Sequence, residues 1–419
     1  MTKNNVLYYI TFLFVISLFI YLFFLSTNYV INYWTFSQAH INYSDGFVKR
    51  GLFGSIALIL ENKLNIKFIN TFNIFFILFY LTNIILYFKL IKKYSNHFLI
   101  FIFFALSPTL ILFSFNDLGG FQRFDTISIF LILLHSFFVN LYRSKKNTFE
   151  KYRRNFIYII FPIILISIFV HEIQCWSIPF HFFLIKAIFD EKKISLKGIF
   201  FYFFILLIAS MFVFLYPVDQ QTIISMIDKL PNRNLWTGAI SVASSLEGNI
   251  NIISYEIKTN LLNFYNFKIN LFFLISGVIP INFIIFYLNK KKIIYIINKN
   301  IYFYFYLSII PYLTFFAIGD TGRWLHLISI VSFGFLTQYP IFKNNHNLVK
   351  NKFSFLKFFI FIILIVYCFF IRLPHGGNLQ EKKISIWGGL YKKFEAVYMI
   401  YFKETKEDKF NFNKRFKKN

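Results

Sequence analysis

The feature that most constrains this chain is a pattern repeated along almost its whole length. Apolar runs of about 15 to 21 residues, each close to the length needed to cross a bilayer, alternate with short clusters of Lys and Arg. At 1.5 Å per residue a helix needs about 20 apolar residues to cross the hydrocarbon core, so each run is a candidate span. Composition agrees: 57% of the residues are hydrophobic, 15% are charged, and 64 of the 419 are Phe. A soluble domain carries about 25% charged residues, so chain length here counts helical spans and not soluble domains.

The reading is an all-α, polytopic integral membrane protein of about 11 transmembrane helices. They are expected at 6–26, 68–88, 98–115, 126–142, 156–170, 173–189, 198–216, 269–289, 301–318, 324–342 and 355–371. The first has Lys3 before it and no small-residue cleavage site before Asn28, so it reads as a retained span. The apolar stretch at 51–60 is too short to cross and reads as a short interfacial or re-entrant helix after the first outer loop. Basic connections around Lys89–Lys93, Arg143–Arg154, Lys186–Lys197, Lys290–Lys299 and Lys343–Lys352 all fall on one side, the cytoplasm by the positive-inside rule.

The outer face then receives 27–67, 116–125, 171–172, 217–268 and 319–323, the longest of which would fold over an outer cavity as a lid. Residues 1–371 make one transmembrane domain, and 372–419 form a basic tail whose apolar stretch 386–402 would lie along the interface. The formal charge of +26 is explained by cations at span ends, which points to a lipid bilayer and not to nucleic acid. Cys175 and Cys368 both sit in apolar segments and offer no disulfide framework. The expected location is the cytoplasmic membrane, multi-pass, with the working face periplasmic or extracellular.

Charge beside a bilayer is costly, so the informative charged residues are those that do not serve as cytoplasmic anchors. Four outer clusters carry them. In Tyr43-Ser-Asp-Gly-Phe-Val-Lys-Arg-Gly51, Asp45-Gly46 signals a turn, and Lys49 and Arg50 stand where the chain re-enters the apolar phase, suited to a phosphate-bearing substrate. In the segment 116–125, Asp117, Arg123 and Asp125 bring two carboxylates and a guanidinium together around Gly119-Gly120. Paired carboxylates serve acid/base chemistry, while Asp125 before Thr126 also suits a helix N-cap.

His171-Glu172 interrupts an apolar stretch that as one helix would be about 51 Å long, so two helices should turn there, with Glu172 a site carboxylate and His171 its partner or a general base. In Gly319-Asp-Thr-Gly-Arg-Trp324, Asp320 and Arg323 either pair with each other or leave Arg323 as a second phosphate ligand. His135 and the membrane tyrosines read as interhelical packing and hydrogen bonding. The spacing matches no metal motif, so no metal or cofactor is expected, although a divalent cation would suit the carboxylate chemistry. There is no Walker loop, zinc-protease motif or nucleophile elbow, which argues against ATP-driven work and serine hydrolysis.

This layout of about eleven spans, an acidic residue in the first outer loop, a short interfacial helix and a second acidic cluster in the next outer loop resembles the C-type-fold (GT-C-like) membrane glycosyltransferases, and somewhat the polymerases that join surface-polysaccharide repeat units. The resemblance implies a polyprenyl-phosphate-linked sugar as donor and a glycan or lipid as acceptor. It places the catalytic carboxylate at Asp45, with Asp117 or Asp125 in the second-loop role. Lys49, Arg50, Arg123 and Arg323 would neutralise the departing phosphate. A lipid-linked oligosaccharide transporter is the rival reading, and it would show broken helices near the membrane midplane and repeat symmetry. A non-catalytic assembly subunit would not need four charged turns on one face.

Overall fold

A computed structural model describes residues 3–28, 33–95, 97–116, 121–216, 218–230, 300–316 and 321–338, with isolated positions between 239 and 368. The spans expected at 269–289 and 355–371, the basic tail, and Asp117 and Asp320 lie outside the described residues, apart from isolated span positions. No strand occurs among the described residues. In chain order the helices are α1 (Lys3–Asn28), α2 (Tyr33–Ala39), α3 (Gly51–Leu64), α4 (Phe68–Ile91), α5 (Phe98–Leu106), α6 (Phe113–Asn116), α7 (Asp125–Arg143), α8 (Phe149–Asn155), α9 (Phe161–Val170), α10 (Ile178–Lys192), α11 (Lys197–Leu215), α12 (Gln220–Asp228), α13 (Ile301–Phe316) and α14 (Thr321–Thr337).

Four helical stretches are long and apolar enough to cross a membrane by length and composition: Phe68–Tyr94, Asp125–Arg143, Phe149–Val170 and Lys197–Leu215. The protein is membrane-embedded. The third stretch joins α8 to α9 through a π turn at Phe156–Ile160. Pro162 explains that turn, because it has no N–H for the carbonyl four residues back, and a wider turn absorbs the mismatch. α11 is apolar on every side and exposes Phe200, Phe201, Phe204, Leu207, Ile208 and Met211, the pattern of a helix bordered by lipid. α7 lies at the other extreme, packed against α4, α14, α8 and α10, with buried Asp125, Ser128, His135 and Ser136 along its length.

The expected span at 98–115 is not one helix. α5 stops at Leu106, and Ser107 is extended (φ −62°, ψ 130°), because Pro108 disfavours helical geometry in the residue before it. Turns carry the chain on to α6. The break is satisfied internally: His326 Nδ1 of α14 donates to the Thr109 carbonyl at 2.8 Å, and the Ser107 and Thr109 hydroxyls bond at 3.0 Å. The turn predicted at His171-Glu172 is present, with His171 extended between α9 and a 3₁₀ segment, Glu172–Ser177, that leads into α10. The short helix expected at 51–60 is α3.

Which helix ends share a side follows from the contacts that close them. At one end Arg143 of α7 pairs with Glu191 of α10 at 2.6 Å, and Lys93, just after α4, reaches Asn140 of α7 and the last turn of α14. At the opposite end the N-termini of α3 and α7 meet the α9–α10 turn, and the N-terminus of α14 joins them through Asp125 of α7.

Candidate functional site

The site grows out of how tightly the chain turns before α3. Gly51 and Gly54 let α3 lie directly on the preceding loop: a Cβ at Gly51 would fall 2.2 Å from the Tyr43 ring, and one at Gly54 2.1 Å from the Ile41 carbonyl oxygen. Ser55 Oγ locks this packing by accepting the Tyr43 N–H and donating to the Gly51 carbonyl, both at 2.8 Å. To enter the helix so abruptly, Arg50 adopts a left-handed backbone (φ 68°), which costs about 1 kcal/mol or more for a residue with a Cβ.

The result aims the Arg50 guanidinium at the α9–α10 turn. Its Nε donates to Glu172 Oε2 at 2.6 Å and its Nη2 to Oε1, a fork-to-fork pair with side chains 12% and 13% exposed. With the Gln38 carboxamide turned to present its oxygen, that oxygen accepts from Arg50 Nη1 at 2.5 Å and from Trp34 Nε1 at 2.9 Å.

A second fork-to-fork pair stands beside the first. Arg323, in the first turn of α14, gives Nε to Asp125 Oδ2 and Nη2 to Asp125 Oδ1 at 2.6 Å, and Arg123 Nε lies 3.9 Å from the same carboxylate. Asp125 is therefore not the N-cap its position before Thr126 suggests. It is the first residue of α7 after Phe124, makes no cap hydrogen bond, and spends both oxygens on arginine, since a guanidinium outcompetes a backbone N–H for a buried carboxylate.

The loop that presents it is held from below: Gln122 N–H donates to Tyr80 at 3.1 Å, and Gln122 Nε2 donates to Asn73 Oδ1 at 3.1 Å. Gln174 joins this loop to the 3₁₀ segment, donating to the Phe124 carbonyl at 3.3 Å and accepting from Ser128 at 2.7 Å.

His171 lies within the fields of both pairs, those of Arg50, Glu172, Arg323 and Asp125, with its Nδ1 3.7 Å from Glu172 Oε2. Burial first, then Arg50, push its imidazole down to about 3, so it is neutral. Burial raises the Glu172 carboxyl, and the charge of Arg50 more than reverses this, leaving it below the usual carboxylate range. Lys49, 9% exposed, is lowered to about 8, by burial first and by Arg50 against the opposing pull of Glu172. Lys49, Arg50, Arg123, Asp125, His171, Glu172 and Arg323 thus form one electrostatic unit drawn from four separated stretches of sequence. The N-termini of α3, α7 and α14 end beside it, and their dipoles favour negative charge there.

Asp45 stands apart from this unit. Its Oδ1 accepts from Lys229 Nζ at 2.5 Å and its Oδ2 from Ser225 at 3.1 Å, both on or just after α12. Lys229 first, with Ser225 assisting, holds the Asp45 carboxyl below its ordinary range against a smaller effect of burial. A separate apolar cluster, Ile41, Val48, Ile223, Met226 and Ile240, seats α12 on the same loop. Among the described residues no group of three His, Cys, Asp or Glu side chains is placed to hold a metal ion.

His135, expected to serve interhelical packing or hydrogen bonding, bonds His181 Nδ1 at 2.9 Å and the Tyr152 hydroxyl at 3.0 Å inside the bundle. Sequence reasoning did not single out Gln38, Asn73, Tyr80 or Gln122. Each is a polar residue buried in or beside an apolar run, a weak signal that was present in the sequence. Comparison of the chain with family models, curated proteins and solved structures finds no match.

Proposed function

We propose that this protein is a membrane glycosyltransferase that moves a sugar from a polyprenyl-phosphate donor to a glycan or lipid acceptor at the outer face of the cytoplasmic membrane, in surface glycan assembly. The observation that carries this reading is the meeting of Lys49, Arg50, Arg123 and Arg323 around two buried carboxylates at one end of a lipid-bordered bundle. Cations in that setting suit a lipid-borne phosphate, whose tail stays among the helices while its charge reaches the site.

In this reaction the acceptor hydroxyl oxygen forms the new bond to the sugar's anomeric carbon. The anomeric carbon–phosphate oxygen bond breaks, and its electron pair leaves with the phosphate, whose growing charge the cations stabilise. The acceptor's proton passes to a carboxylate. Asp45 is the proposed base: its oxygens meet one lysine and one serine hydroxyl, whereas Asp125 and Glu172 each give both oxygens to the fork of a buried guanidinium. Asp45 is also the more open carboxylate, 23% exposed against 8% and 13%.

One observation favours a second reading. The break at Ser107-Pro108 is the kind of interrupted helix on which transporters build their sites, so a lipid-linked oligosaccharide transporter is the alternative. Transfer from radiolabelled polyprenyl-phosphate sugars by purified protein in proteoliposomes, with Asp45→Asn and Glu172→Gln at equal expression, separates the two. Transfer by wild type that is lost in Asp45→Asn supports the glycosyltransferase. Movement of the labelled lipid between leaflets with no transfer from any donor supports the transporter.

A further inference from the structure

The tautomer of His171 is set by the backbone beside it. Its Nδ1 accepts the Ile173 N–H at 3.2 Å, and a ring nitrogen that accepts carries no proton. The neutral ring therefore holds its hydrogen on Nε2, and adding a proton at Nδ1 would set N–H against N–H. The ring is 4% exposed, and Nε2 has no hydrogen-bond partner among the described residues. Lys49 is in the same position: it is buried, acts on Glu172 from the α2–α3 loop, and forms no hydrogen bond or ion pair among the described residues. The two side chains are buried beside the same carboxylate, yet neither donor atom is among those closed off from the surface, so two donors without protein acceptors stand open to a ligand oxygen.

From this geometry we infer that His171 is a donor of fixed tautomer, giving its Nε2 hydrogen to a phosphate oxygen of the bound ligand beside the Lys49 ammonium, and not a proton acceptor in the reaction. The inference builds on the proposed function only in taking the ligand to bear phosphate. It assigns His171 to binding and leaves the transfer of the acceptor proton to another group.

Two substitutions divide the ring's two tasks. In His171→Asn the side-chain oxygen can stand near the Nδ1 position and accept the Ile173 N–H, but nothing replaces the Nε2 donor. In His171→Gln the amide nitrogen reaches the Nε2 position and restores a donor, while the bond to Ile173 is lost.

The test uses the full chain in lipid nanodiscs, with affinity measured for a polyprenyl monophosphate, the matching neutral polyprenol and inorganic phosphate, and the unfolding midpoint measured alongside. Wild type is expected to prefer the monophosphate to the polyprenol. His171→Asn should weaken phosphate binding about tenfold with little change in midpoint, as expected for one hydrogen bond to a charged group. His171→Gln should recover most of that binding and show a lower midpoint.

Whichever of the lipid monophosphate and inorganic phosphate binds more tightly names the source of the phosphate, and His171→Asn should weaken it. Equal affinity for polyprenol and monophosphate, undiminished binding by His171→Asn, or equal loss in both variants would overturn the assignment. Binding without transfer by wild type would remove the glycosyltransferase reading and leave the donor assignment standing. Transfer that requires Asp45, with binding untouched in His171→Asn, would do the reverse.

Discussion

Replacing Arg50 and Glu172 with Met, singly and together, tests how the site is held. The two side chains are 12% and 13% exposed and meet fork to fork, so most of their hydration has been given up for each other. Two unit charges about 4 Å apart attract by about 4 kcal/mol at an effective dielectric of about 20. Removing one member of a buried pair costs about 3–5 kcal/mol, because the survivor keeps its desolvation and loses its partner.

Arg50→Met would leave the Glu172 carboxylate beside a neutral His171 at 3.7 Å and a Lys49 that makes no direct ion pair with it. Glu172→Met would leave the Arg50 guanidinium with Gln38 at one corner. The double substitution removes both charges and fills the space with two apolar chains, so it should be more stable than either single variant. The unfolding midpoint of the purified protein in nanodiscs reads this order, and the coupling from the cycle should reach about 2–3 kcal/mol, the upper part of the range for contacting residues. A double variant as unstable as the sum of the two singles would refute the idea that the pair is one unit.

Three further outcomes follow from the same geometry. Gly54→Ala should destabilise the fold by about 1–3 kcal/mol, read as a lower unfolding midpoint, and weaken the site, because the new Cβ meets the Ile41 and Ala39 carbonyl oxygens at 2.1 and 2.6 Å and only a shift of the α3 N-terminus, which carries Arg50, relieves them. Exchanging the charges as Asp45→Lys with Lys229→Asp should restore the docking of α12, read as protection of 219–230 from proteolysis, but not transfer, which requires a carboxylate at position 45. Phosphate affinity should fall as pH rises through about 8, where Lys49 loses its proton. Its folded value lies below the ordinary 10.5, so stability should move the other way and rise between about 8 and 10.5, where the unfolded chain binds more protons than the folded one. Binding and unfolding measured across that range check both signs, and Lys49→Met should flatten both curves.

Much of the fold was legible because a bilayer imposes a local rule: every backbone group must be satisfied within its own helix, so apolar length alone marks a helix. α4, α7, α9 and α11 are where the runs place them, whereas α8 extends the third stretch back to Phe149, into the segment read as a basic connection. The break after Leu106 was legible in part, since Pro108 is in the sequence, but hydropathy averaged over a window hides it. The fact that makes the break tolerable, a hydrogen bond from His326 more than two hundred residues away, lies in no window.

The sequence by itself determined that the protein lives in a membrane, where its helices turn, and that unusual charge collects in a few of those turns. Hydrophobic length, proline and the cost of burying charge act over short stretches and need no knowledge of neighbours. Only the tertiary structure decided who pairs with whom. Arg323 takes Asp125 from across 198 residues, and Arg50 takes Glu172 from across 122. Asp45 binds to α12, away from the arginines, whereas His171 is fixed as a donor by a backbone N–H. Ion pairing in a low-dielectric interior is strong only at contact distance, and contact between turns is set by how the helices pack.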